Sequence, residues 1–355
     1  MANDTGKRNE PHIRICLGNK AQAKNATSGF EDIQLVHRAL PEVNKEKINL
    51  STTFLGKKFN APIIVGAMTG GTEQATQINA SIAQAVEKLG LGMGVGSQRA
   101  AIENQKLEQT FAVARKMAPN AFLMANIGGV QLVHGYGLKE VKKVVEMIDA
   151  DAVAVHLNAL QEAVQPEGQT NFKGVLTKIS EIAGALDTPV IVKETGAGIS
   201  AEDAKALEDA GVKAIDVGGV GGTSFSAVEY YRTAARENLS GEAFWDWGIP
   251  TAVSLIETVQ TVKLPVIASG GLRSGTDAAK ALALNACLAS ISQPILQAAV
   301  KGEKETEDKL SCLIEELRNA LFLVGAEKLS DLAKTPVVIT GKTGEWLHVR
   351  GFNLQ

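Results

Sequence analysis

From residue 62 onward, eight short apolar runs alternate with amphipathic helical stretches, and this alternation limits the possible folds more than any other feature. The runs occupy 63–67, 91–95, 122–126, 152–155, 189–193, 214–217, 265–269 and 286–289. Helical patterns follow each, near 74–88, 104–118, 138–148, 171–186 and 200–210 in the first five units. Continuous Val/Ile/Ala runs suit strands buried on both faces, as in parallel sheets. Eight such units are what a closed (β/α)8 TIM barrel requires, with a doubly wound open sheet as the alternative. Apolar residues form 45% of the chain and charged residues 21%, enough for one large core. Residues 1–60 read as an N-terminal arm and extension packing on the barrel, and 61–355 as the barrel itself, a single domain overall. A long insertion after the sixth strand, between Gly221 and Pro250, reads as a lid over the barrel mouth.

The net charge of −3 offers no overall basic field for nucleic acid or a membrane surface, so a small-molecule role is expected. Cys16, Cys287 and Cys312 are far apart, odd in number and without metal-ligand spacing. They are expected to be packing residues in a reducing compartment. The polar start over residues 1–10 has no apolar signal core, and no run approaches the ~18 apolar residues of a membrane span. A cytoplasmic enzyme is the expectation.

In a barrel, residues leaving the carboxyl ends of strands face the ligand. His156-Leu-Asn-Ala-Leu-Gln-Glu162 leaves the fourth strand and suggests proton handling beside a metal. Ser269-Gly-Gly-Leu-Arg273-Ser-Gly275 follows the seventh strand and opens a helix, which favours an anion through free backbone N–H groups and the helix dipole. Ser292-Gln293, ending the eighth strand, is expected to complete that site. Gly218-Gly-Val-Gly-Gly-Thr223, after the sixth strand, has the look of a second phosphate or ribityl cradle. Met68-Thr69-Gly70-Gly71, Ser97-Gln98-Arg99, Asn126 and Lys193-Glu194 fall on the same rim. A lysine ending a buried strand calls for an anionic or electron-rich partner, such as flavin N1 and O2. Together these loops suggest one phosphorylated cofactor of the kind FMN barrels bind. Lys7, Arg8 and His12 place basic residues on an arm able to close over an anionic ligand.

The elements His156–Glu162, Lys193-Glu-Thr-Gly196, Gly221-Gly-Thr-Ser224, Ser269–Arg273 and Val338-Ile-Thr-Gly-Lys-Thr343 closely resemble type 2 isopentenyl-diphosphate isomerases, the flavin-dependent form. The resemblance runs from about Arg8 to Arg350. It implies interconversion of isopentenyl and dimethylallyl diphosphate in isoprenoid biosynthesis, with reduced FMN, Mg2+, and NADPH as reductant. Ala67, Met68, Thr69, Ser97, Asn126, Lys193, Thr223, Gly271, Leu272, Arg273, Ser292 and Gln293 would hold FMN. Arg8, His12, Arg99, His156, Asn158 and Gln161 would bind substrate, with Gln161 near the double bond as the catalytic residue, and Glu162 would bind the metal. A homotetramer or homo-octamer is implied as well. Three departures from the family pattern stand out, one of them a residue pair. Asn9 stands where lysine is usual, Gly218 where serine is frequent, and Ser292-Gln293 where Ala-Leu is common.

The chemistry fits that assignment. Moving a double bond needs one proton delivered and another removed in a dry pocket, and glutamine is a poor acid or base, so reduced flavin is the better proton carrier. A diphosphate beside Glu162 needs a bridging hard cation. The competing enzyme reading is an FMN-dependent 2-hydroxy-acid oxidoreductase, which needs a histidine base at a late strand end. None of His12, His37, His134, His156 and His348 follows strands five to eight. A dehydrogenase of the inosine-monophosphate type needs a loop cysteine, whereas Cys287 falls within the eighth run. A non-catalytic flavin-binding module has no need for Gln161 and Glu162 together.

Overall fold

The computed structural model describes residues 5–233 and 239–352, with side chains from residue 11 onward except at 239. Eight parallel strands close into a barrel. In chain order they are Ile63–Val65, Gly92–Gly94, Phe122–Gly128, Ala152–Leu157, Val190–Glu194, Ala214–Asp216, Val266–Ala268 and Leu288–Ile291. They agree with the eight expected runs to within a few residues, and the eighth pairs with the first to complete the closure. The open sheet is therefore excluded. Helices Glu73–Leu89, Leu138–Met147, Val175–Ala185 and Ala201–Asp209 lie where the amphipathic patterns put them. The second unit differs, because the 104–118 pattern resolves into Arg99–Glu103, a 3-10 turn and Gln109–Met117.

Alternation along each strand sorts its side chains. Val153, Val155, Val192 and Ile215 face outward into the layer shared with the helices. Phe122, Met124, Ala152, Ala154, Ile191, Ala214, Ile267 and Leu288 form a separate apolar cluster inside the barrel. One step further along the same inward faces the residue types change to Asn126, His156, Lys193, Asp216, Ser269 and Ser290, and all six line the cavity at the carboxyl end. The barrel is thus apolar up to the level where the ligand site begins.

The opposite end is closed by a hairpin from the N-terminal extension, Thr52–Phe54 paired with Lys57–Phe59. Its two-residue turn places Leu55 and Gly56 at φ of 46° and 82°, the left-handed pair that matches strand twist. Phe54 and Phe59 meet Phe122 at centroid distances of 5.4 and 5.6 Å, plugging the barrel floor. Ile33–Leu35 pairs antiparallel with Val337–Ile339, tying the extension to the C-terminal region. The Val338–Thr343 motif belongs to this tie: Thr343 N donates to Asp32 Oδ2 at 2.9 Å, and residues 338–343 do not line the cavity at the barrel mouth.

Residues 5–17 form a helix that packs against Phe225–Arg232 and Gln293–Ala299. The insertion contains helices Phe225–Arg232 and Leu239–Ala243. Its Ala227, Val228 and Trp245 share a small core with Ala21, against which Ile15 and Cys16 also pack. Cys16 and Cys287 are half-buried, but Cys312 is exposed, which corrects the expectation of three packing cysteines. Its position on an outer helix, bonded to Glu316, leaves it facing solvent. Cys287 immediately precedes the eighth strand, at the end remote from the rim.

Candidate active site

A cavity of about 320 Å³ opens at the carboxyl end of the barrel. Register brings its inner layer together, since Gly128 pairs with His156, His156 with Lys193, and Lys193 with Asp216 on successive strands. Asn126 Nδ2 donates to the Val95 carbonyl at 3.1 Å, which turns its Oδ1 toward His156 Nδ1 at 2.8 Å. The histidine must donate in that contact, so Nδ1 carries a proton. Burial and the Lys193 charge push the His156 pKa down to about 3, so the ring is neutral at physiological pH. Lys193 Nζ donates to the Glu194 carbonyl at 2.7 Å. Asp216 accepts from the Ser269 hydroxyl, and burial raises its pKa against the pull of Lys193. Burial likewise pushes Glu194 up to about 7, although backbone N–H groups of Gly196, Ala197 and Gly198 all donate to it.

The His156–Glu162 element leaves the strand and turns at Asn158 into the helix Ala159–Val164. Helical spacing lets Asn158 Nδ2 reach both Gln161 Oε1 at 3.2 Å and Glu162 Oε1 at 3.1 Å. Glu162 Oε2 is saturated by two short bonds of 2.6 Å, from Gln165 Nε2 and the Gln169 backbone. Its Oε1 keeps free acceptor capacity, and the neighbouring Asn158 Oδ1 is buried without a partner. Gln161 Nε2 donates to Glu229 Oε1 at 2.8 Å, so the amide is held at both ends.

Glu229, on the insertion helix, was not among the sequence candidates. It is fully buried, and burial alone would raise its pKa. His12 beside it, the Gln161 amide and the Arg232 guanidinium instead hold it at about 2. His12 Nε2 lies 3.4 Å from Glu229 Oε1 and has no hydrogen bond of its own. Arg232 also pairs with Glu167 at 2.7 Å. Nothing in the local sequence of 225–232 distinguishes Glu229 from an ordinary helical glutamate.

The anion corner lies where the loops after strands six, seven and eight meet. Gly271 has φ +77°, and a Cβ there would sit 2.5 Å from the Gly221 carbonyl. Gly218 has φ +49° and its Cβ would meet the Glu194 carbonyl at 2.1 Å, so this backbone path admits only glycine. The expected role of the helix after strand seven needs correction. Asp277 Oδ2 accepts from Arg273 N and Ser274 N at 3.0 and 3.1 Å, and Glu316 caps Gly275 N at 2.5 Å. Those N–H groups are already satisfied by carboxylates, which leaves the glycine loop and the Arg273 side chain to face an anion.

Ala67, Met68, Thr69, Ser97, Asn126 and Lys193 line the cavity, as do Thr223, Gly271, Leu272, Arg273, Ser292 and Gln293. His12, Arg99, His156, Asn158, Gln161 and Glu162 line it too. The Arg8 side chain, with Lys7 and Asn9, lies outside the described residues. Gln98 is fully buried away from the cavity, bonding Val144 O and Asn126 N, and serves the loop's packing. Arg99 is paired with Glu103 at 2.7 Å. Among the described residues, no group of three His, Cys, Asp or Glu side chains is placed to hold a metal by itself. The residues fit FMN: an ammonium and a neutral imidazole face the cavity, and the buried Thr69 Oγ1 lacks a partner. They also fit a hard cation shared with a substrate anion, through the oxygen donors Glu162 Oε1 and Asn158 Oδ1.

The model of the FMN-dependent dehydrogenase family matches residues 7–127 and 138–339. An isopentenyl-diphosphate delta-isomerase of Methanothermobacter thermautotrophicus is 52% identical over 341 residues, covering 96% of this chain and 95% of that one. Enzymes of that name from Methanosarcina mazei and Pyrococcus furiosus are 49% and 51% identical, covering 100% and 96% of this chain and 98% and 88% of their own. Among solved structures, a mandelate oxidase mutant with the monooxide FMN adduct superposes with a TM-score of 0.64 at 20% identity, covering 92% of this chain and 95% of that one. That likeness establishes the barrel fold alone. The chain belongs to the FMN-dependent dehydrogenase family and, within it, to the isopentenyl-diphosphate delta-isomerases.

Proposed function

We propose that this protein interconverts isopentenyl diphosphate and dimethylallyl diphosphate in isoprenoid biosynthesis, with reduced FMN and Mg2+ bound and NADPH as the source of reduction. The observation that carries this reading is the Gln161 amide, clamped between Asn158 and Glu229 in the cavity that also holds the FMN candidates. FMN would be held by Lys193, Asn126, Thr69 and Ser97, with the glycine loop and Arg273 at its phosphate. When bound, reduced FMN would supply the proton-transfer chemistry of the isomerisation.

The chain's own residues do the rest. Gln161 orients the alkene, since an amide held at both ends cannot rotate as charge develops. Arg99 and His12, with Arg8 on the arm, would bind the diphosphate, and Arg99 must exchange Glu103 for it. Glu162, whose Oε1 keeps acceptor capacity, would hold Mg2+, which would offset the repulsion between a bare carboxylate and the diphosphate. His156 stays neutral beside Lys193 and serves as a hydrogen-bonding wall.

His156 ends the fourth strand, and burial that pushes its pKa down to about 3 makes it a weak base, which counts against the 2-hydroxy-acid oxidoreductase reading. Among the described residues no helix is long and apolar enough to cross a membrane. The same proposal includes a cytoplasmic homotetramer or homo-octamer, with residues 1–60 packing as an extension on the 61–355 barrel. The test is a coupled isomerase assay with oxidised or reduced FMN, with and without Mg2+. Turnover only with reduced FMN and Mg2+ is expected. Oxidation of a 2-hydroxy acid without isomerisation would overturn the proposal.

A further inference from the structure

Gln22 enters the anion corner from the N-terminal extension, 201 and 251 residues away in sequence from the side chains it meets. Its amide nitrogen donates to Thr223 Oγ1 at 3.2 Å, and its amide oxygen accepts from Arg273 Nη2 at 2.6 Å. A guanidinium only donates, so the direction of the amide is fixed. Backbone bonds seat the residue: Ala23 N donates to Gly222 O at 3.0 Å, and Ser224 N to Ala21 O at 2.8 Å. Trp245 Nε1 donates to the Gln22 carbonyl at 2.8 Å. The remaining bonds of the Arg273 guanidinium go to the carbonyls of Gly221 and Gly271, at 3.3 and 3.4 Å. Every one of these acceptors is neutral.

We infer that Gln22 is a positioning residue for the cofactor phosphate, acting through Arg273 and Thr223. This rests on the FMN reading above. A solvent-facing arginine has many rotamers, and ordering it weakens anion binding unless the protein has ordered it beforehand. Gln22 holds the guanidinium over the glycine loop and the Thr223 hydroxyl beside it, without cancelling the positive charge. An amide does this where a carboxylate does not, since glutamate would bond Arg273 more strongly and neutralise it.

The test is FMN release from diluted holoprotein, read as the rise in flavin fluorescence, for wild type, Gln22→Ala, Gln22→Glu, Arg273→Ala and the Gln22→Ala/Arg273→Ala double variant. Melting temperatures of the flavin-free proteins are measured in parallel. Gln22→Ala is expected to weaken FMN binding about tenfold, the scale of one hydrogen bond to a charged group. Gln22→Glu should weaken it more, with a flavin-free melting temperature no lower than wild type. In the Arg273→Ala background, Gln22→Ala should change affinity less than about twofold. A merely structural role predicts the reverse order, with near-isosteric glutamate milder than alanine, and that result overturns the inference. So do unchanged FMN affinity in Gln22→Ala or equal losses with and without Arg273. A wild-type protein that holds no FMN overturns the underlying reading instead.

Discussion

Three side chains decide how the cavity behaves, and each does so through partners. Gln161 is held by Asn158 and by Glu229, a buried carboxylate that stays charged because His12 and Arg232 surround it. Gln161→Ala is expected to lower kcat well before it raises KM. Glu229→Ala should lower kcat by about ten- to a hundredfold, the worth of a hydrogen bond to a charged group, while FMN affinity stays the same. Steady-state kinetics with flavin titration separate the two. Glu162→Gln should raise the Mg2+ concentration needed for half-maximal rate and leave the protein yellow. Loss of colour would mean that Glu162 supports the cofactor. His156 has a folded-state pKa of about 3, below the roughly 6.5 of an unfolded histidine. The folded chain therefore binds fewer protons. This stabilisation is complete above about pH 6.5 and is lost as pH falls toward 3, with a limiting slope of ~1.4 kcal/mol per pH unit. Denaturant unfolding from pH 7 to 4 should show a shallower slope for His156→Gln than for wild type.

At the scale of elements, the insertion after strand six supplies a side chain to the site. Its helix Phe225–Arg232 carries Glu229 inward, while Trp245 anchors it on Ala21 and the Gln22 carbonyl. Trp245→Ala removes a buried aromatic and the indole bond, an expected loss of about 3–5 kcal/mol locally. Limited proteolysis should then cut within 224–248 sooner than in wild type, and substrate with reduced FMN should protect the wild-type segment. The insertion itself was legible in the long spacing between Gly221 and Pro250, where a lid was the expectation, but Glu229 was not. Its importance comes from contact with Gln161, 68 residues away, which no periodicity in either helix records. The same holds for the helix after strand seven. Its glycines and position were readable, whereas the capping of Gly275 by Glu316, 41 residues on, appears only in the fold.

For the whole molecule, the barrel's two ends do different work. The Phe54, Phe59 and Phe122 cluster seals the floor, and the polar layer from Asn126 to Ser290 forms the mouth. Phe59→Ala should cost about 3–5 kcal/mol of unfolding free energy with FMN affinity within twofold of wild type, because the apolar layer separates the two. The eight-unit barrel and the residues at its strand ends are legible in the chain alone. Strand and helix periods are local, and alternation along a strand decides which side chains face inward. Which of those residues are paired, charged or saturated emerges with the folded barrel. The neutral state of His156, the one unsaturated oxygen of Glu162, the Glu229 clamp and the Gln22 tie all depend on groups brought together by barrel closure and by the docking of the extension, which are long-range events without a local pattern.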